Sequence, residues 1–222
     1  MMTEKVRKII VPKQKRGKQT KKRILDVATQ IFAEKGLEGT RIDEIIHRSE
    51  VNKERIYAYY GSKKKLYQEV LLENYRRVTD DNILMNLDET AIPNLNAIII
   101  DVYIDFHESH PNFWRLLSWE NLSNGENLSD EQWSVLRGGY LEHLKGLYEL
   151  GQKKGFFRKE INFNSYIFTV FSLTFFYFSN QITMSKLLGV DLKSAAVRQQ
   201  IEHDIIVILS SGVAHGEHKK DR

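Results

Sequence analysis

"GTRIDEIIHRSEVNKERIYAYYGSKKKL", residues 39–66, alternates short apolar patches with charge over a length that suits two short helices and the start of a third. Thr40 is placed to cap the first of these, with Asp43 near its positive end and Ile42, Ile45 and Ile46 on one face. Asn52 is placed to cap the second, which turns Ile56 and Tyr60 inward behind Val51 and stops at Gly61. Ser62 then caps a long helix with Leu66, Val70 and Leu71 inward, running toward Leu87. Upstream, Ile24, Ala28, Ile31 and Phe32 fall at i, i+4, i+7 and i+8, one apolar stripe on a helix predicted to start at Thr20 and to stop near Lys35 and Gly36. A pair of short helices joined by a tight turn and flanked by longer supports has the proportions of a helix-turn-helix unit.

The rest of the chain reads as a second helical domain. Apolar periodicity predicts helices at about 91–109, 111–122, 129–151, 164–187 and 194–212, separated by Pro93, Pro111, "NLSNGENLSD", "GQKKG" and "LGVD". The expected class is therefore all-α. Its parts are a flexible basic arm at 1–18, broken by Pro12 and Gly17, a three-helix helix-turn-helix domain at 19–66, and a larger helical domain at 67–222.

Composition sets the function classes. With 41% hydrophobic and 28% charged residues the chain is expected to be a soluble globular protein. The absence of cysteine excludes disulfides, thiolate nucleophiles and cysteine metal sites. The basic N-terminus is followed by no secretory apolar run, and the stretch Tyr166–Phe178 falls short of the roughly 20 residues of a membrane span. A cytoplasmic protein with no membrane partner is expected, with Tyr166–Phe178 in a core helix. Residues 1–78 hold 20 Lys and Arg against 10 Asp and Glu, net +10, whereas the remainder holds 13 against 19, net −6. A basic head on a mildly acidic body suggests that the N-terminal part alone meets a polyanion.

Residues 20–70, with the small-apolar first helix, Gly36, Thr40, the isoleucine pair, Val51, Tyr57, Tyr60, Ser62, Lys63 and Leu66, resemble the N-terminal domain of TetR-family transcriptional regulators. "HPNFWRLLSWENL", His110 to Leu122, resembles a stretch of some members' second domain. The resemblance implies a homodimer that binds a palindromic double-stranded operator and responds to a hydrophobic small molecule. The chain departs from the family at three places. Glu50 stands where the turn usually has glycine, Glu54 where a small residue is common, and Ala58 where a phosphate-binding side chain is often found.

Phosphate contacts position such a helix and base contacts specify. Arg55 can reach a guanine's O6 and N7; its other reading is a solvent arginine paired with Glu54 or Glu50. Glu54 either accepts from a cytosine amino group or repels phosphate. By resemblance Tyr57 touches base or phosphate, unless it packs the core, and Tyr59 donates to phosphate. Lys63 and Lys64 open a helix where a cation is locally unfavourable, which makes sense if they grip phosphate. Thr40 and Arg41 form a second clamp, Lys13, Lys15, Arg16 and Lys18 of the arm could enter the minor groove, and Asn52 and Lys53 complete the expected DNA-binding set.

In the second domain, Phe168, Phe171 and Phe175 form one stripe and Val197, Ile201, Ile205, Ile208 and Leu209 another. The resemblance assigns the last two helices to a four-helix dimer interface, with Phe168, Phe175, Val197, Ile201, Ile205 and Ile208 as its residues; the other reading closes the monomer's own core. Tyr103, Phe106, Trp114, Trp119, Trp133 and Phe171 are the candidate ligand-binding residues, and an aromatic core would look the same in sequence. His107, His110 and Glu108 are too few for a metal site, and no catalytic motif is found. No metal, cofactor or enzyme activity is expected. The competing class is a helical interaction module whose basic head docks on an anionic membrane or acidic protein without reading sequence.

Overall fold

The structure, a computed structural model, describes residues 13–79, 82–136 and 139–213. Every regular element among them is helical. Packing divides the chain into two compact units, Met1–Leu71 and Leu72–Arg222, with the division falling inside one helix.

The first unit contains α1 (Lys13–Gly39), α2 (Ile42–Ser49), α3 (Lys53–Tyr60) and the first part of α4 (Lys63–Thr79). The predicted stripe of α1 is its core: Ile24, Ala28, Ile31 and Phe32 are fully buried, joined by Ile45, Ile56, Leu66 and Val70. Phe32 meets the ring of Tyr67 edge to face at 4.9 Å. Gly36 interrupts α1 with φ 67° and ψ −177°, a conformation only glycine adopts freely, so the expected stop is present although one further turn follows it. The start differs. α1 begins at Lys13 and runs through Gly17, so the arm expected over 1–18 is helical in its last six residues, and the rest of it lies outside the described residues. Downstream contacts hold this early turn. The Tyr60 hydroxyl donates to the Lys21 carbonyl at 2.7 Å, and the Lys21 ammonium lies 5.4 Å from the centre of the Tyr60 ring.

The second unit follows with α5 (Asn82–Met85), a 3₁₀ turn (Glu89–Asn94), α6 (Leu95–Ser109), α7 (Pro111–Leu122), α8 (Asp130–Leu136), α9 (Tyr140–Lys153), α10 (Phe163–Leu188) and α11 (Ala195–Val213). The helix predicted from 91 starts as the 3₁₀ turn, which contains Pro93; α-helix begins at Leu95. The helix predicted over 129–151 is two, α8 and α9, with Gly139 at φ 73° before the second.

α6 packs against both α10 and α11, and its Leu95, Ile99, Ile100 and Tyr103 lie in the core. Several polar groups here are satisfied internally. Tyr166 stacks on Tyr148 at 4.5 Å and donates to Asn96 at 2.8 Å, while buried Glu120 accepts from the Asn127 backbone and side chain, both at 3.0 Å, to pin the loop after α7. Tyr166–Phe178 is only partly the core helix expected: Tyr166, Val170, Thr174 and Phe178 are buried, but Phe168 and Phe176 are exposed. Among the described residues no helix is long and apolar enough to cross a membrane.

Phe157 packs onto α9 at Gly151. A Cβ there would lie 2.5 Å from the Phe157 ring and 3.0 Å from Ile92. Gly151→Ala is therefore expected to destabilise the protein by about 1–3 kcal/mol in urea unfolding, as overpacking does; an unchanged midpoint would contradict this packing.

Candidate nucleic-acid interface and ligand cavity

α3 is capped at both ends. The Asn52 side chain accepts from the Arg55 N–H at 3.1 Å, and the Gly61 N–H donates to the Tyr57 carbonyl at 2.8 Å. Ile56 and Tyr60 are buried, which leaves Lys53, Glu54, Arg55 and Ala58 exposed and Tyr57 37% exposed. The Ser62 hydroxyl accepts from the Lys65 N–H at 3.1 Å and so caps α4.

Charge on this unit is unevenly matched. Lys35 pairs with Glu44 at 2.6 Å, and Arg48 reaches Glu34 at 3.5 Å and Glu44 at 3.8 Å. Arg41, Lys53, Arg55 and Lys64 are exposed and pair with no carboxylate among the described residues. The alternative pairing of Arg55 with Glu54 or Glu50 is not formed. Exposed cations without partners on and beside a short capped helix offer phosphate and base contacts that need no internal ion pair to be broken first.

Three expected DNA contacts are placed differently. Thr40 is buried, and its hydroxyl donates to the Gly36 carbonyl at 2.7 Å; it neither caps α2, whose N-cap is Arg41, nor presents its side chain to phosphate. Lys63 is half-buried and donates to the Thr40 carbonyl at 3.2 Å, tying the start of α4 to the turn before α2. Tyr59 is half-buried with its hydroxyl beside Gly17, where a Cβ would stand 3.6 Å away, so Arg16 and Lys18 sit on an ordered turn next to α3's last turn.

Glu50 ends α2 with φ 52° and ψ 36°, the left-handed conformation that glycine takes without strain.

In the second unit an apolar cavity of about 410 Å³ is bordered by Tyr75, Tyr103, His107, Trp133 and the α10 phenylalanines. Of the ligand-binding expectations, Tyr103, Trp133 and Phe171 border it. Trp114 borders a neighbouring cavity of about 330 Å³ with Glu108, Arg115, Lys193 and Arg198, and Phe106 and Trp119 border neither. Phe106 is spent on its neighbours, stacking on His110 at 4.6 Å and meeting Phe113 at 5.1 Å.

Tyr75 and His107 are cavity residues that the sequence does not mark as such. Each was within reach: Tyr75 follows Leu71 and His107 follows Tyr103 by one helical turn. His107 is 4% exposed, and burial pushes its imidazole down to about 4. Among the described residues no cluster is placed to hold a metal ion, and Glu108 pairs with Arg198 instead of the histidines.

The residues expected at the dimer interface are placed in two ways, some on the chain's own core or cavity and others outward. Phe168 and Phe175 border the cavity, Ile205 is buried, and Val197 and Ile201 pack half-buried on the chain's own core. The physical reason is that the i, i+4, i+8 stripe of α11 faces α6. Phe168 and Ile208 are 71% and 65% exposed, and Phe176, Ile182, Leu187 and Val207 are also exposed in large part, so the outward apolar surface includes two of the expected residues.

A capped eight-residue helix with unpaired exposed cations, preceded by a second eight-residue helix and carried on an all-α chain, defines a helix-turn-helix DNA-binding protein. The pattern of bacterial regulatory proteins of the tetR family matches residues 24–70, and that of the tetracyclin repressor-like C-terminal domain matches residues 95–209. The HTH-type transcriptional repressor NicS of Pseudomonas putida is 35% identical over 179 residues, spanning 78% of this chain and 82% of its own. The HTH-type transcriptional repressor SCO4008 of Streptomyces coelicolor is 39% identical over 106 residues, 48% of this chain and 52% of its own. A TetR family transcription regulator from Marinobacter aquaeolei VT8 shares the fold with a TM-score of 0.70 at 14% identity, covering 91% of this chain and 99% of that one. The chain belongs to the TetR family of bacterial regulators and is a DNA-binding transcriptional regulator. That family consists of transcriptional regulators, and none of these similarities supports a sequence-blind docking module.

Glu50→Gly is expected to stabilise the protein by roughly 0.5–1 kcal/mol in denaturant unfolding, because relief of left-handed strain outweighs glycine's extra unfolded-state freedom. A loss of stability would show the turn to be held by the glutamate side chain. His107 takes its proton at about pH 6.5 when unfolded and at about 4 when folded, so its contribution to stability is complete above 6.5 and is lost as pH falls toward 4. The fall in stability over that window should be shallower in His107→Phe than in the wild type, measured by urea midpoints at each pH.

Proposed function

We propose that the protein is a homodimeric, ligand-responsive repressor that binds a palindromic operator in the cytoplasm and releases it when a hydrophobic small molecule enters the second unit. The observation that carries the DNA half of this reading is the exposed face of α3, with Arg55 unpaired beside Lys53 and Tyr57. Arg55 reads a guanine edge, Tyr57 adds a base or phosphate contact, and Arg41, Lys53 and Lys64 hold phosphate. Repression as the sign of regulation is taken from the relatives, two of which are named repressors.

One short helix reads only a few base pairs, so useful specificity requires two, spaced about one helical turn apart by a two-fold axis. The exposed apolar residues Phe176, Leu187, Val207 and Ile208 of α10 and α11 supply the surface for that pairing. Release follows from linkage: a ligand that binds better to the dimer geometry unsuited to DNA lowers operator affinity, and the operator lowers ligand affinity by the same factor. α4 is common to both units, with Lys63 at its start and Tyr75, which borders the cavity, toward its end.

Arg55→Ala is expected to cut discrimination between the preferred operator and random DNA by about 1–3 kcal/mol per half-site, roughly 5- to 150-fold, in fluorescence anisotropy. Lys64→Ala should weaken both DNAs alike and make the salt dependence shallower by about one unit of slope per subunit. An Arg55→Ala protein that kept the wild-type discrimination would overturn the assignment of base reading to this helix.

A further inference from the structure

The apolar cavity in the second unit carries more information than its volume. Tyr75 meets Trp133 at 5.1 Å and Phe113 at 5.4 Å, and Tyr103 meets Phe171 at 4.9 Å, all edge to face. Rings arranged in this way offer an aromatic guest the same offset and edge-to-face packing that they make with one another. None of the described residues that border the cavity carries a formal charge at neutral pH. An ionised guest would thus lose its hydration without gaining a counter-charge.

His107 brings a polar group to this wall. His107 is 4% exposed and packed among aromatic rings, 5.9 Å from Phe113 and 5.5 Å from Phe178, and its Nδ1 is buried without a hydrogen-bond partner. Leaving a buried ring nitrogen unsatisfied costs free energy that a ligand group could recover. Two other polar groups on this wall are engaged: the Tyr103 hydroxyl donates to that of Tyr140 at 3.2 Å, and Ser172 donates to the Phe168 carbonyl at 2.8 Å.

We infer that the effector is an uncharged aromatic molecule carrying a hydroxyl or amide group that hydrogen-bonds His107 Nδ1, so that His107 sets which apolar molecules are accepted. This deepens, and rests on, the reading of the cavity as the effector site. Burial keeps the imidazole neutral at physiological pH, which leaves it unable to serve as a counter-charge for an anion. The neighbouring cavity, which His107 also borders, holds Arg115 and Lys193 beside the Glu108–Arg198 pair, so cations for a carboxylate lie on that side of the ring.

The test uses the full chain and four probes of similar size, 2-naphthol, naphthalene, 2-naphthoate and saturated 2-decalol, with binding followed by calorimetry and by ligand-induced change in Tm. The expected order places 2-naphthol about tenfold tighter than naphthalene, the value of one recovered hydrogen bond, with 2-decalol and 2-naphthoate weaker than 2-naphthol. In His107→Phe and His107→Asn, naphthalene should still bind, which shows the cavity intact, while the preference of His107→Phe for naphthol is lost. Naphthol preference unchanged in His107→Phe, or 2-naphthoate or 2-decalol binding at least as tightly as 2-naphthol, would overturn the inference and leave the effector-site reading standing. Failure of all four probes to bind the wild type would overturn both.

Discussion

Burial of Ile56 and Tyr60 is the interaction on which the DNA-facing unit depends. An isolated eight-residue helix does not persist in water, so α3 exists because one face is held against its neighbours and both ends are capped. The same contact decides what faces outward: with Ile56 and Tyr60 inside, helical geometry leaves Lys53, Glu54, Arg55 and Tyr57 toward solvent. The Tyr60 hydroxyl then reaches back to the Lys21 carbonyl, so the residue that anchors the recognition helix also anchors the early turns of α1. Lys63 plays a related part from the other end, bonding the Thr40 carbonyl and fixing the turn that precedes α2. Preorganisation of this kind lets binding energy go into DNA contacts instead of ordering the reader.

The second unit follows a different logic. Its core is dense with aromatic pairs that satisfy their own hydroxyls, as Tyr166 does with Asn96 and Tyr148 with the Ile161 carbonyl at 3.0 Å. Against that background a buried histidine with an unpartnered nitrogen beside an apolar cavity stands out, because protein interiors seldom leave such groups unpaired. On the proposed reading of the cavity as the effector site, a bound small molecule removes that cost.

Much of the first unit was legible in the sequence because its signals are local. The α1 stripe, the Asn52 and Ser62 caps and the inward Tyr60 each follow from residues within two turns of one another, and the structure contains them all. Thr40 shows how two local signals compete: a threonine before a helix suits an N-cap, but bonding backward to the Gly36 carbonyl is equally local and here it wins. The start of α1 could not be read, since Gly17 and Pro12 signal a break while the contacts that hold Lys21 come from 39 residues downstream. Periodicity likewise found the apolar stripes of α10 and α11 without telling what covers them. Ile205 turns to the chain's own core, Phe175 to the cavity, and Ile208 outward, a difference that only tertiary packing decides. Glu50 was flagged by its departure from glycine, and the left-handed backbone found there is the strain that departure implies.

In the proposed regulator two copies of α3 read DNA sequence across a two-fold axis. Selection of bound duplexes from a random-sequence pool by the full-length protein, followed by sequencing, addresses it most directly. An enriched palindrome is expected, with half-sites centred about one helical turn apart and a guanine in each within reach of Arg55. Recovery of bound DNA with no enriched sequence, or of a single unpaired half-site, would contradict it.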